Sequence, residues 1–187
     1  MKQLLSGILC VFFLLATAQA GTLIEMQTSM GTIKLELDEA KAPVTVKNFL
    51  SYVDAGFYDG TIFHRVIGNF MIQGGGFDKS TQRKAVKAPI KNEADNGLEN
   101  AKGSIAMART GVVDSATSQF FINLVDNRSL NHRGTATNTY GYAVFGRVIE
   151  GFEVVEKIVK VRTIAKNQMF GDYPEPQVII ESVRRVE

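Results

Sequence analysis

The chain is poor in the residue types that usually announce special chemistry. Among 187 residues it has one cysteine, no tryptophan, four prolines and two histidines. Cys10 has no partner within the chain, so no intramolecular disulfide can form. A structural zinc site normally wants four ligands, and neither His64 nor His132 has a spaced His or Cys partner, so no metal site is expected. An excess of one charge is also missing. The formal charge is +2, which argues against nucleic acid as a generic partner, since that would favour a basic stripe with interleaved aromatics. Lys79, Arg83, Lys84 and Lys87 form a small cluster among Ser, Thr and Gln and read as a solvated loop. Gly74-Gly75-Gly76 lacks a following Gly-Lys-Ser/Thr and opens no helix, so it reads as sharply bent backbone rather than a phosphate cradle.

One long apolar run exists, at residues 4–16, preceded by Lys2 and followed by Ala18-Gln19-Ala20. It is shorter than the roughly 20 apolar residues that span a bilayer. The charge, the run and the small-x-small ending predict a secretory signal peptide over 1–20, cleaved after Ala20, with an uncleaved membrane anchor as the alternative. Cys10 lies inside the run rather than after it, which argues against lipid attachment. Cleavage would remove the only cysteine and, with Lys2, lower the formal charge from +2 to +1. A cysteine-free chain suits an oxidising compartment because it cannot mispair there. Residues 21–187 suffice for a single domain with a real core.

Residues 23–27 and 32–37 alternate apolar and polar around Ser29-Met30-Gly31, predicting a β-hairpin with Ile33, Leu35 and Leu37 inward. Pro43 suits the first position of a helix, and Val46, Phe49, Leu50 and Val53 follow at helical spacing before Gly56. Residues 78–102 show little periodicity and predict a long surface loop. A second helix is predicted after Gly151 from Phe152, Val155, Ile158 and Val159, and a last strand over 177–186 puts Val178 and Ile180 on one face. About eight strands, two helices and no βαβ alternation predict a mostly antiparallel β structure, with barrel and sandwich both open.

Two stretches carry most of the information. In 61–76, TIFHRVIGNFMIQGGG, residues 61–66 and 69–73 read as adjacent strands joined at Ile67-Gly68. Strict alternation would put Phe63 and Arg65 on one face, His64 on the opposite one, and Met71 with Gln73 on one face of the next strand. A guanidinium beside Phe and Met is costly to desolvate unless something polar meets it, so Arg65 is half of an ion pair or a donor aimed at a ligand. The second stretch, 103–123, holds Ile105 and Met107 alternating with small residues, then a strand over 119–123 with Phe121 on one face.

The ordered motifs FHRV (63–66), FMIQGG (70–75), SIAMA (104–108), SQFFI (118–122) and YAVFGRV (142–148) resemble the cyclophilin family of peptidyl-prolyl cis/trans isomerases. The likeness covers nearly all of the chain after residue 21. MARTGVVDSATSQFFIN and the loop before YGYAVFG resemble the bacterial, periplasmic branch. The resemblance implies a closed eight-stranded antiparallel barrel capped by two α-helices, with the active groove outside the wall. It also implies isomerisation of X-Pro bonds, with proline-containing unfolded or partly folded exported proteins as partners, in the periplasm, by a monomer with no cofactor.

Rotating an X-Pro bond breaks amide conjugation against a barrier of about 18–20 kcal/mol. A donor to the nitrogen lone pair that appears in the twisted state favours that state over the planar one. The resemblance assigns this role to Arg65. It assigns the pocket for the proline ring to Phe70, Met71, Phe121 and Leu130, amide hydrogen bonds to substrate and to Arg65 to Gln73 and Gln119, and main-chain pairing with the peptide to Ala108 and Arg109. Any one of the apolar residues alone would pass for barrel packing. Met107 is read as core.

Three positions depart from the family pattern. Arg109 stands where many relatives carry asparagine and adds charge to the groove. Ser129 replaces an aromatic, tryptophan or phenylalanine, and so removes one wall of the rim; weak inhibition by cyclosporin is expected. Tyr142 replaces a histidine and keeps an aromatic face with a polar tip. The opened rim motivates a competing reading, a binding module or holdase chaperone that grips proline-containing segments without isomerising them. A scaffold for a fixed partner has no sequence feature in its favour.

Overall fold

Alternation governs most of the wall, and irregularities near His64 and Gly75 help set up the outer surface. The computed structural model describes residues 21–186, so the signal peptide expected over 1–20 lies outside the described residues. The elements in chain order are β1 (Leu23–Thr28), β2 (Gly31–Leu37), α1 (Pro43–Asp54), β3 (Thr61–Ile67), β4 (Met71–Asp78), β5 (Ser104–Met107), β6 (Phe120–Asn123), β7 (Val144–Glu150), α2 (Phe152–Val159), the two-residue strands β8 (Thr163–Ile164) and β9 (Tyr173–Pro174), and β10 (Val178–Val186). Eight of the strands close into an antiparallel barrel in the order β1-β10-β3-β4-β6-β5-β7-β2, while β8 and β9 pair separately. Closure leaves no wall strand with a free edge, which resolves barrel against sandwich.

The interior is filled from all eight barrel strands. Ile24, Met26, Ile33, Leu35, Phe63, Ile72, Ile105, Met107, Phe120, Ile122, Phe145, Val178 and Ile180 form one buried cluster. α1 starts at Pro43, as expected, and contributes Val46, Phe49, Leu50 and Val53, and α2 adds Val154, Val155 and Ile158. Both helices thus turn their apolar faces into the barrel. Phe49 meets Phe120 edge-on at 5.8 Å between centroids, and Phe145 lies 5.2 Å from Phe49, so α1 packs on both β6 and β7, the strands that flank β5.

The long segment 78–102 makes only isolated bridges, Phe77 with Arg83 and Ile90 with Ala116, and is a loop as expected. Its lysines are not simply solvated. Lys84 bonds the carbonyl of Phe57 and sits 4.6 Å over that ring, and Lys87 bonds Ser51 and lies 5.0 Å over Tyr52, tying the loop to α1 and the turn after it.

The expected faces of β3 need correction. Phe63 points into the barrel and Arg65 does not share its face. The β3–β4 register pairs Phe63 with Gly74 but Arg65 with Gln73, so β3 carries one extra residue there. Such a bulge leaves two successive side chains on the same side. His64 and Arg65 therefore both lie outside, and Val66 resumes the inward position. His64 was expected opposite Arg65; instead it packs on the outer wall against Phe77 and Phe170, at 4.8 and 6.2 Å. β4 answers with its own irregularity, since Thr61 pairs with Asp78, two residues more than regular pairing from Gly74 allows. Gly75 takes up this bend at φ +79°, which is why a side chain is absent there. The strand itself begins at Met71 rather than Asn69, because Asn69 holds the turn at φ +60°.

Candidate active site

The β-bulge at His64 places Arg65 at one end of a rung that runs across five neighbouring strands. Arg65 pairs with Gln73, Gln73 with Phe121, Phe121 with Ala106, and Ala106 with Val144. Neighbouring strands are about 4.8 Å apart, so the Arg65 backbone stands about 10 Å from that of Phe121. Phe121, Ala106, Val144 and Met71 form an apolar cluster separate from the barrel core, edged by Phe70, Ala108, Leu130 and Tyr142. The six apolar or aromatic residues expected at the site, Phe70, Met71, Ala108, Phe121, Leu130 and Tyr142, are thus brought together on the outer wall. Met107 is core, as expected.

Between this patch and Arg65 sits an amide pair. The Gln73 Nε2 donates to Gln119 Oε1 at 2.9 Å. Gln119 lies over Gly76, where a Cβ would come within 2.5 Å of its Nε2, so this glycine makes room for the side chain. Neither glutamine bonds Arg65. The Arg65 Nε faces Asp172 Oδ2 at 3.4 Å, and the pair is about half exposed. Among the described residues the Arg65 Nη groups make no intramolecular hydrogen bond.

Asp172 is a residue that sequence reasoning missed. Its backbone is fixed against β3 by the Val66 N–H donating to Asp172 O at 2.9 Å. Phe170 and Tyr173 on either side belong to an outer cluster with Ile62 and Phe77. His64 sits in the same aromatic group with its Nδ1 lacking a hydrogen-bond partner. Burial, with the neighbouring Arg65 charge, lowers its pKa from the ordinary 6.5 to about 4.

A chain of buried amides supports the patch from beneath and was also missed. The Asn127 Nδ2 donates to Phe70 O at 2.9 Å and to Asn123 Oδ1 at 2.7 Å. Asn123 donates to Asn100 Oδ1 at 3.2 Å, and Asn100 Nδ2 reaches the carbonyls of Leu130 and Tyr142 at 3.2 and 3.3 Å. Three rim residues are therefore held by one network. The amide-rich end of the 78–102 segment was its only trace in the sequence.

Of the departing positions, Ser129 is exposed on the 3-10 turn Arg128–Leu130. Arg109 keeps its charge at the edge of the groove but is anchored on backbone carbonyls. Its Nε donates to Gly141 O at 2.9 Å, Nη1 to Thr110 O at 3.0 Å and Nη2 to Thr137 O at 2.8 Å. Its guanidinium lies 4.8 Å over the Tyr142 ring, which meets Phe121 edge-on at 5.7 Å. A cleft of about 800 Å³ lies beside the patch, lined by Leu98, Val144, Glu36, Lys102 and Arg147, but neither Arg65 nor the glutamines line it. The cation, amide pair and apolar patch lie together on the open wall instead.

A closed barrel whose outer wall carries an apolar patch, paired amides and an arginine on one rung has the make-up of a peptide-binding enzyme. The chain belongs to the cyclophilin type peptidyl-prolyl cis-trans isomerases, whose family model matches residues 23–185. It is 48% identical to peptidyl-prolyl cis-trans isomerase A of Dickeya dadantii over all of this chain and 98% of that protein. It is 53% identical to isomerase B of Escherichia coli over 86% of this chain and 98% of that protein. Among solved structures, a cyclophilin type isomerase of Cryptosporidium parvum, crystallised in the presence of the dipeptide Ala-Pro, superimposes with a TM-score of 0.75 at 26% identity, covering 88% of this chain and 99% of that one. The activity that membership carries is peptidyl-prolyl cis-trans isomerisation, on proline-containing peptides.

Proposed function

We propose that this isomerase accelerates X-Pro rotation during the folding of exported proteins, with Arg65 donating to the twisted prolyl amide while the Phe70, Met71, Phe121 and Leu130 patch grips the proline ring. The observation that carries this reading is the Arg65–Gln73–Phe121 rung, which sets an unshared guanidinium edge about two strand spacings from the apolar patch. Guanidinium is always protonated and directs several N–H groups, so no proton need move. One charge-assisted hydrogen bond is worth about 1.5–3 kcal/mol, or about tenfold to a hundredfold in rate. The rest comes from holding the ring in an apolar, water-poor patch while the preceding residue turns, where electrostatics are stronger. Gln73 and Gln119, already paired, offer their remaining donors and acceptors to the peptide backbone. The segment 1–20 directs the chain to the periplasm.

Exchange of a short Ala-Pro peptide between cis and trans, followed by NMR, tests the mechanism. Native protein accelerates it, and Arg65→Ala loses about tenfold or more while keeping its fold. Peptide binding without acceleration by the native chain would favour a holding site, the reading that the exposed Ser129 rim suggests. Export is checked by the mass of protein recovered from a periplasmic fraction, which should begin at Gly21.

A further inference from the structure

Ser129 is exposed where the family resemblance implies an aromatic, yet the rim is not bare. Tyr142 stands at the edge of the patch, and its ring contacts both the Arg109 guanidinium and, in a T-shaped pair, Phe121. Arg109 makes hydrogen bonds to three carbonyls, two of which, Gly141 and Thr137, belong to the segment leading into Tyr142. Gly141 is a junction in that segment. Its carbonyl also accepts from Asn92 Nδ2 at 3.1 Å, and its φ of +85° with backbone of Leu130, Asn131 and His132 all within 2.7 Å of a would-be Cβ forbids a side chain. The Tyr142 N–H then bonds Leu130 O at 3.0 Å, linking Tyr142 to another member of the patch. Planar guanidinium suits this task because its donors point in fixed, divergent directions while its face stacks on an aromatic ring. A lysine has neither property.

We propose that Arg109 is a positioning residue: it staples the 137–141 segment to the end of β5 and thereby holds Tyr142 as the replacement rim of the peptide groove. The inference rests on the reading of the apolar patch as that groove. Arg109 then contributes through Tyr142 rather than as a charge offered to substrate, since three of its five N–H donors are committed to backbone carbonyls. The consequence is a groove whose binding strength depends on a cation stacked behind an aromatic ring.

The test is a double-mutant cycle on the full mature chain with Arg109→Ala, Tyr142→Ala and the pair. It is read by the Kd of an Ala-Pro peptide and by hydrogen exchange of the Tyr142 amide. Arg109→Ala should weaken binding by about threefold to tenfold, the size of a lost aromatic or cation–π contact. It should raise KM far more than it lowers kcat, and speed exchange at Tyr142. In the Tyr142→Ala background the same change should cost less than twofold. Arg109→Lys should behave as Arg109→Ala, because one ammonium cannot reach three divergent carbonyls. Additive effects, unchanged exchange at Tyr142, or full activity of Arg109→Lys would each overturn the proposal. Absence of catalysis by the native chain would instead strike the isomerase mechanism, leaving the binding and exchange readouts to decide the role of Arg109.

Discussion

Asp172 lies 107 positions along the chain from Arg65, yet its Oδ2 sits 3.4 Å from the Arg65 Nε. The contact occupies one edge of the guanidinium and leaves the Nη edge without an intramolecular acceptor among the described residues. An exposed ion pair contributes little to stability, about 1 kcal/mol at most, so its value here lies in orientation.

Asp172→Ala should therefore lower kcat/KM by about threefold while leaving the unfolding midpoint almost unchanged. Asp172→Asn, which keeps an oxygen acceptor, should stay within about twofold of native. Peptide-exchange kinetics beside urea unfolding would separate the two. A large stability loss with normal kinetics would mean that Asp172 serves the outer aromatic cluster and not Arg65.

His64 makes the fold sensitive to acid. Its pKa is lowered from 6.5 to about 4 in the folded state by burial and by the Arg65 charge, so between these values the unfolded chain binds a proton that the native chain refuses. Stability from this residue is complete above pH 6.5 and is lost as the pH falls toward 4, by on the order of 3 kcal/mol. His64→Phe should flatten that window in urea titrations at pH 7 and 4.5. An unchanged pH slope would show that other groups carry the acid response.

Gly75 and Gly76 are adjacent but should answer differently to alanine. At Gly75, φ is +79° and a Cβ would come within 2.8 Å of Tyr58 and 2.9 Å of Phe120, both in the core. Left-handed strain and overpacking together predict a loss of about 3 kcal/mol in chemical denaturation. At Gly76 the atoms nearest to a Cβ all belong to the movable side chain of Gln119. Gly76→Ala should keep its stability within about 1 kcal/mol but displace Gln119 from Gln73, and so slow peptide exchange.

Asn123 is wholly buried and links Asn127 and Asn100 beneath the patch. Replacing it by alanine strands both partners, which predicts a loss of about 1–3 kcal/mol. The same change should raise KM, because the carbonyls of Phe70, Leu130 and Tyr142 hang on that network. An unaltered KM in a destabilised Asn123→Ala protein would confine the network to a structural role.

The fold was largely legible because most of the wall follows a two-residue period and each helix a helical one. Ile33, Leu35 and Leu37, or Val46, Phe49 and Val53, declare their inward faces without help. The apolar side of the site was legible through motif order. What failed was local geometry that breaks the period. The bulge at His64 put Arg65 outside and separated it from Phe63, and nothing in FHRV marks an extra residue in the register. Asp172 escaped for another reason. The segment 165–172 has no periodicity, and its meeting with Arg65 is a tertiary event held by the Val66–Asp172 backbone bond and by Phe170. Arg109 is legible in sequence as added charge, but not its anchoring, because a sequence cannot say whether a cation faces solvent or backbone carbonyls.

The topology also imposes an order of events on the chain. β10 is hydrogen-bonded to β1 on one side and to β3 on the other, so the final strand in chain order is the stave that closes the barrel. Until it docks, β1 and β3 both present raw edges that invite pairing with other chains. Such distant pairings form slowly, because a long loop must close before any contact rewards it. A protein of this shape is therefore most vulnerable to aggregation just before its own completion.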